Sequence, residues 1–332
     1  MKLTYRECSL NLKDTFRTTH GAEDIKKVVI VNIDEGLGEA PPVFYYGENI
    51  ETVKIFLDRA AAVLADSPFK LEEIQATLEK VAAFNYSAKA AVDIAMHDLA
   101  CKKLNIPLYK YFGITPRTDL ATSFTISISD PDTMKKIAQK SPGYKVYKLK
   151  VGVPGDIEMV EAVRDVIKAD IRVDANEGWT LKEAVWKIKE LYKLGIEFVE
   201  QPLNRDDIEG FRVLRAKSKL PVIADEGIFR ASDIPRYVGL VDGINIKLSK
   251  SGGLREAFKM IAVARAHKMK IMIGCMVETS IAITAAAHLA MLVDYADLDG
   301  NVLVSNDPYS GVKIVDGCLR LPDGPGLGVV PR

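Results

Sequence analysis

The chain has 332 residues, 45 basic against 45 acidic, and 48% of them are hydrophobic. That length and apolar content make one large α/β domain or two domains, and a net charge of zero argues against a general nucleic-acid or anionic-membrane binder. No apolar run is long enough to span a bilayer and no secretory signal is expected, while Cys8, Cys101, Cys275 and Cys318 lie too far apart for a zinc motif or disulfide framework, which fits a cytoplasmic protein.

Residues 1 to about 45 read as β-rich. Lys27–Ile33 is an apolar strand, Asp34-Glu35-Gly36 a turn, and Gly38-Glu39-Ala40-Pro41-Pro42 ends the sheet. Before that strand, Thr15–Gly21 is a polar connection without a clear period, readable as a lid or as a plain hairpin connection. From about 50 to 110 the chain is helical. Ile55, Phe56, Ala60, Val63 and Leu64 recur at helical spacing, Glu72–Val81 forms a second helix, and Ser87 is placed as the N-cap of a third over Ala88–Lys103. His97 and Asp98 lie inside that helix, where for a histidine a structural role outweighs a catalytic one. Gly113 and Pro116 mark a boundary.

Beyond about 118, short β-prone runs alternate with amphipathic segments. The runs are Ala121–Ser127, Lys145–Lys150, Ile171–Asp174, Phe198–Glu200, Val222–Asp225, Gly243–Lys247, Lys270–Gly274 and a weaker Tyr295–Asp299. Helical segments between them include Glu158–Lys168, Leu181–Leu194, Ile208–Lys217 and Leu254–Lys268. Eight such units in fewer than 200 residues predict a closed (β/α)8 barrel over an open doubly wound sheet. The turns carry neither a Gly-x-Gly-x-x-Gly run nor a Walker phosphate loop, so no dinucleotide or NTP site is indicated. After about 305, Gly311–Val315 and Cys318–Leu321 read as short strands returning to the N-terminal sheet. The expected fold is α/β: a TIM-like barrel over 117–304, capped by an α+β domain of 1–116 that the tail from about 305 to 332 completes.

In Tyr147-Lys148-Leu149-Lys150, both lysines share one strand face and the apolar residues share the other. Alone, this favours a solvated edge strand. The following strands reverse that weighting. They end in Asp174, Glu200, Asp225 and Lys247, separated by 26, 25 and 22 residues, about one βα unit each. These side chains therefore meet at the C-terminal mouth, where barrels of this kind keep their active sites. Converging carboxylates repel one another unless a cation sits between them, and hard oxygen donors without histidine or cysteine select Mg²⁺ over zinc. Lys148 and Lys150 then face the interior, and their proximity and burial are expected to lower their pKa values, poising a lysine as a general base. Lys247 faces them across the mouth. A metal flanked by two lysine bases is what 1,1-proton transfer next to a carboxylate requires, with the enediolate charge neutralised and the proton returned on the opposite face.

The ordered set Lys-x-Lys, Asp-x-Asn, Glu-Gln-Pro, Asp-Glu and Asn-x-Lys resembles the muconate-lactonizing subgroup of the enolase superfamily. The resemblance runs over nearly the whole chain, from Gly38-Glu39-Ala40-Pro41 through the helix from Ala91-Val92-Asp93 to Asp98, to the final Gly-Pro-Gly-Leu-Gly. It implies Mg²⁺ ligation by Asp174, Glu200 and Asp225, bases at Lys150 and Lys247, and Lys148 as electrostatic partner of the substrate carboxylate. Asp297-Leu298-Asp299 at the eighth strand matches the Asp-x-Asp pair of dipeptide epimerases such as the L-Ala-D/L-Glu type, where it holds the dipeptide ammonium; a polar turn is the other reading. The arginine by which Ala-Glu enzymes meet the glutamate side chain falls here on Gly21, with Arg17 and His20 nearby. A hydrophobic or small dipeptide is thus as open as Ala-Glu. Met276 and Glu278, after the seventh strand, are placed at the pocket. Implied alternatives are N-acylamino-acid racemisation, o-succinylbenzoate synthesis and muconate cycloisomerisation; a remote one is a non-catalytic ligand-binding barrel. The expected partner is a small-molecule dipeptide, with no nucleic acid and no membrane; a homo-oligomer is left open.

Overall fold

The computed structural model describes residues 1–64 and 66–332. Strands β1 (Leu3–Thr18), β2 (Gly21–Ile33) and β3 (Gly36–Ala40) form an antiparallel sheet in that order. The expected loop at Thr15–Gly21 is instead the end of one long hairpin. Thr18 pairs with Gly21 across Thr19 and His20, and the register shifts once, between Asn11 and Phe16. In β2, alternate residues enter different cores. Val29, Val31 and Ile33 pack with the helices, whereas Val28 and Ile30 face the barrel side. Burial on both faces explains why this strand reads as an unbroken apolar run.

Helices α1 (Ile50–Ala61), α2 (Leu71–Val81) and α3 (Tyr86–Leu104) follow, with the short α4 (Leu108–Tyr111). Ser87 is not the cap of α3. Asn85 holds that position in a left-handed conformation, and Ser87 lies in the first turn, donating its N–H to Glu48 at 3.2 Å. Every residue of α3 from Ser87 to Cys101 is buried, since the helix lies between the sheet and the barrel. The strand β3 approaches it backbone to backbone: a Cβ at Gly36 or Gly38 would overlap the carbonyls of Ala95 and Ala91. The acidic residues of α3 hold neighbouring segments in place. Asp98 accepts N–H bonds from Leu37 and Leu327, and Asp93 accepts from Leu254. His97 is buried, with Nδ1 2.8 Å from the Asp93 carbonyl.

The barrel is a parallel sheet of β4 (Ser123–Ile126), β5 (Val146–Lys150), β6 (Asp170–Asp174), β7 (Ile196–Glu200), β8 (Val222–Ala224), β9 (Gly243–Lys247), β10 (Lys270–Gly274) and β11 (Tyr295–Asp297), in sequence order. A bridge from Thr122 to Ala296 closes the ring. Outside run α5 (Pro131–Lys140), α6 (Asp156–Arg164), α7 (Leu181–Lys193), α8 (Ile208–Lys217), α9 (Ile234–Tyr237), α10 (Leu248–Ser251), α11 (Leu254–Ala266) and α12 (Ser280–Ala290). After β11 the chain forms strands instead of a further helix. These do not join the N-terminal sheet: β12 (Tyr309–Ser310) pairs with β15 (Val330–Pro331), and β13 (Lys313–Val315) with β14 (Cys318–Arg320). The tail meets the hairpin only locally, where Leu12 bridges Val304 and Asn11 N–H donates to Asn306 Oδ1 at 2.7 Å. Among the described residues no helix is long and apolar enough to cross a membrane.

Candidate active site

Strand register brings the predicted residues to one level of the barrel. Lys150 pairs with Asp174 and Asp174 with Glu200; on the far side Lys247 pairs with Gly274 and Gly274 with Asp297. Asp225 follows directly on β8. At Gly274 the Asn245 amide fills the space that a Cβ would take. The residues Asp174, Glu200 and Asp225 are all fully buried.

Lysines pair closely with these acids. Lys148 Nζ lies 2.9 Å from Asp174 Oδ2, 2.6 Å from Glu200 Oε2 and 2.7 Å from Asp297 Oδ2. Lys150 Nζ is 2.7 Å from Asp174 Oδ2, and Lys247 Nζ is 2.7 Å from Asp225 Oδ2. For Lys148 the expected downward pKa shift is reversed. Burial pulls Lys148 down, but Asp174, Asp297 and Glu200 outweigh it and hold the ammonium well above the ordinary lysine value. Lys247 is likewise held well above it, because Asp225 and Glu200 outweigh its burial. Conversely, Asp174 is held well below the usual carboxylate range, since Lys148 and Lys150 overcome the effect of burial. Asp225 is held low by Lys247 and Lys250 against burial. Glu200 goes the other way: burial, then Asp174 and Asp225, push it up to about 8.

The donor set fits a hard divalent cation. Three buried carboxylates converge from neighbouring strands, and Glu200 Oε2 and Asp225 Oδ2 meet ammonium groups at ion-pair distance without an aligned hydrogen bond. Glu200 holding a proton near neutrality is the sign of charge that a cation there would relieve. Among the described residues no three acidic, histidine or cysteine side chains are disposed as a closed metal cage, because the Lys148 ammonium lies between Asp174, Glu200 and Asp297.

Neighbouring groups fix these side chains. Gln201 Oε1 accepts the backbone N–H of Asp225 at 2.7 Å, and Asn245 Nδ2 donates to Glu200 Oε1 at 2.7 Å. Lys250 Nζ is 2.5 Å from Asp225 Oδ1. Its only sequence signal was a second lysine one turn after Lys247. Asp297 Oδ1 accepts from Ser123 Oγ at 2.7 Å, and Asp299 Oδ2 accepts from Thr125 N–H at 2.6 Å.

A cavity of about 290 Å³ opens above this array. Lys148, Lys150, Lys247, Asp297 and Asp299 line it, as do the predicted His20 and Met276. His20 stacks on Tyr45 with ring centroids 4.1 Å apart. Arg17 does not reach the lining. Strand alternation turns Phe16 and Thr18 inward and leaves Arg17 exposed, its carbonyl accepting from Ile128 N–H at 3.0 Å. Glu278 is buried beneath the wall, accepting from Met276 N–H at 3.3 Å. Asn176 of the Asp-x-Asn element lines the cavity too, as do Thr125, Tyr45 and Lys26, which no motif in the sequence marks.

A closed barrel with acids and lysines at its strand ends, under a small α+β cap, defines a class of barrel enzymes that act at carbon beside a carboxylate. Residues 2–113 match the mandelate racemase / muconate lactonizing enzyme N-terminal domain, and residues 132–332 match the enolase C-terminal domain-like family. The chain belongs to the mandelate racemase / muconate lactonizing enzyme family. It is 40% identical to an L-Ala-D/L-Glu epimerase of Bacteroides thetaiotaomicron, over 99% of this chain and 88% of that protein. It is 37% identical to a hydrophobic dipeptide epimerase of Enterococcus faecalis, over 98% and 97%. Its fold matches a dipeptide epimerase from Cytophaga hutchinsonii complexed with Mg and D-Ala-L-Val with a TM-score of 0.94, at 28% identity, covering 100% of this chain and 96% of that one.

Proposed function

We propose that the chain is a Mg²⁺-dependent dipeptide epimerase, an isomerase that inverts the α-carbon of the C-terminal residue of a dipeptide. The observation that carries this reading is the pair of opposed lysines, Lys150 and Lys247, across a ring of buried carboxylates beside Asp297 and Asp299. Asp174, Glu200 and Asp225 hold the Mg²⁺ ion, which when bound offsets the negative charge that develops on the substrate carboxylate. Lys148 adds fixed positive charge at that carboxylate. One of Lys150 and Lys247 takes the α-proton and the other delivers a proton to the opposite face, so the centre inverts. Asp299, with Asp297, meets the dipeptide ammonium.

The β1–β2 hairpin covers the substrate and excludes water from the reacting carbon. Residues 1–116 with the tail from about 305 make the capping unit, and 117–304 the catalytic barrel. A reducing cytoplasm suits the free thiols of Cys8, Cys101, Cys275 and Cys318.

Incubation with a dipeptide library in D₂O checks the reading. Deuterium enters the α-position of the C-terminal residue and the epimer accumulates, both of which stop on chelation and resume with Mg²⁺. Absence of exchange across the library would leave a binding barrel or an acylated-substrate enzyme in its place.

A further inference from the structure

The β1–β2 hairpin crosses the cavity and is fastened to the barrel. At its tip Thr19 Oγ1 donates to the Asn176 carbonyl at 2.6 Å, and further along β1 Lys13 N–H donates to the Leu303 carbonyl at 2.9 Å. On the root side of these contacts Lys26 lines the cavity, paired across the ladder with Leu10 and followed on the same face by Val28. Its side chain is only 12% exposed. The one acidic group within ion-pair distance among the described residues is Glu23, 3.6 Å away and itself half in solvent. No hydrogen bond from the Lys26 ammonium is found among the described residues, whereas Lys148, Lys150 and Lys247 each sit on a carboxylate at 2.6 to 2.9 Å. Phe16, Val277 and Leu303 line the same cavity with apolar surface. The ammonium thus stands at the cavity wall without a hydrogen-bonded partner, and a carboxylate arriving in this partly apolar lining is bound more strongly than in bulk water.

We infer that Lys26 selects dipeptides carrying a side-chain carboxylate. The inference rests on the epimerase reading, which already assigns the other substrate charges: the α-carboxylate to the floor of the site and the ammonium to Asp297 and Asp299. A side-chain carboxylate is the charge for which Lys26 is the remaining cation on the lining. Binding exchanges the long contact to Glu23 for a direct ion pair, and Glu23 turns further into solvent.

The test compares L-Ala-L-Glu with L-Ala-L-Gln, and L-Glu-L-Ala with L-Gln-L-Ala, by α-deuterium exchange with native enzyme, Lys26→Met and Lys26→Arg. In one of the two pairs the acid exceeds the amide in kcat/KM by roughly tenfold or more. Lys26→Met brings that ratio to about one, and Lys26→Arg keeps it, which separates a charge effect from a packing defect. Which pair responds locates the carboxylate on the first or second residue. Exchange without any acid preference, or a preference that survives Lys26→Met, overturns the inference alone. No exchange with these or any other dipeptide overturns the epimerase reading and the inference with it.

Discussion

Asp297 and Asp299 stand two positions apart and are both buried, yet their partners differ. Asp297 faces Lys148 on one oxygen and Ser123 on the other, whereas Asp299 accepts the Thr125 N–H, and burial and then Asp297 push its pKa up to about 7. On the proposed reading, an arriving ammonium would favour the ionised form of Asp299 and be held by it. Asp299→Asn is therefore expected to lower kcat/KM for dipeptides by roughly 100-fold, the scale of losing one partner of a buried pair, and to matter far less for an N-acylated amino acid. Equal losses on both substrate types would remove the ammonium contact from Asp299. Asp297→Asn is the poorer probe, because it also takes a partner from Lys148. That Asp174, Glu200, Asp225 and Lys247 meet at one level was legible because barrel strands repeat at nearly constant spacing, so separation along the chain reports a shared level. Lys26 was not legible. In Glu23-Asp24-Ile25-Lys26-Lys27 it reads as one of several solvated charges, and only the ladder assigns it to the inner face. The pKa direction of Lys148 differs from expectation because spacing reports a shared level but not distance, and the ammonium proves to lie within 2.9 Å of Asp174, Glu200 and Asp297 together.

At the scale of elements, β3 and α3 show how a glycine pattern becomes a packing distance. Gly36 and Gly38 lie on one strand face, and a Cβ on either would enter the backbone of α3. Gly38→Ala is expected to lower stability by about 1–3 kcal/mol, the range for overfilling a packed interior. A urea titration followed by circular dichroism measures it; an unchanged midpoint would mean that the helix can move away at no cost. The sequence placed Gly38 at the end of a sheet without showing what it packs on, since no local period marks a contact with residues more than fifty positions away. The strand ends and helices were read closely, with Ile208–Lys217 and Lys270–Gly274 agreeing residue for residue. The cap of α3 was misplaced because a serine before an apolar helix is the usual N-cap signal, while here Glu48 takes that serine from outside the helix.

For the molecule as a whole, acid stability has an identifiable contributor in α12. His288 is fully buried, its Nε2 lies 3.1 Å from the Leu327 carbonyl, and burial lowers its pKa from 6.5 to about 4. A histidine lowered in the folded state stays neutral there while the unfolded chain takes up a proton. Its contribution is complete above pH 6.5 and is lost as pH falls toward 4, reaching about 3 kcal/mol for the full shift. The stability difference between native protein and His288→Gln should accordingly shrink by up to that amount between pH 7.5 and 4.5 in urea titrations. A constant difference would show that His288 charges without penalty. Glu39, raised to about 7 chiefly by burial, acts in the opposite direction but is common to both chains, so it drops out of the comparison. The barrel was legible at this scale because strand and helix periods alternate over most of the chain. The tail was not, since two- and three-residue ladders are too short to carry a period that names their partner.

The cap is joined to the barrel in two unequal ways. The α3 helix is buried against both, so changes there disturb the entire fold. The hairpin over the cavity is held by contacts that include Asn176, Ile128 and Leu303, a span that carries none of the strand-end acids or lysines. Substitutions in that span can redraw the range of accepted substrates while the reaction machinery is inherited intact. In this architecture a lineage can acquire a new diet one hairpin residue at a time, without passing through an unfolded or inactive ancestor.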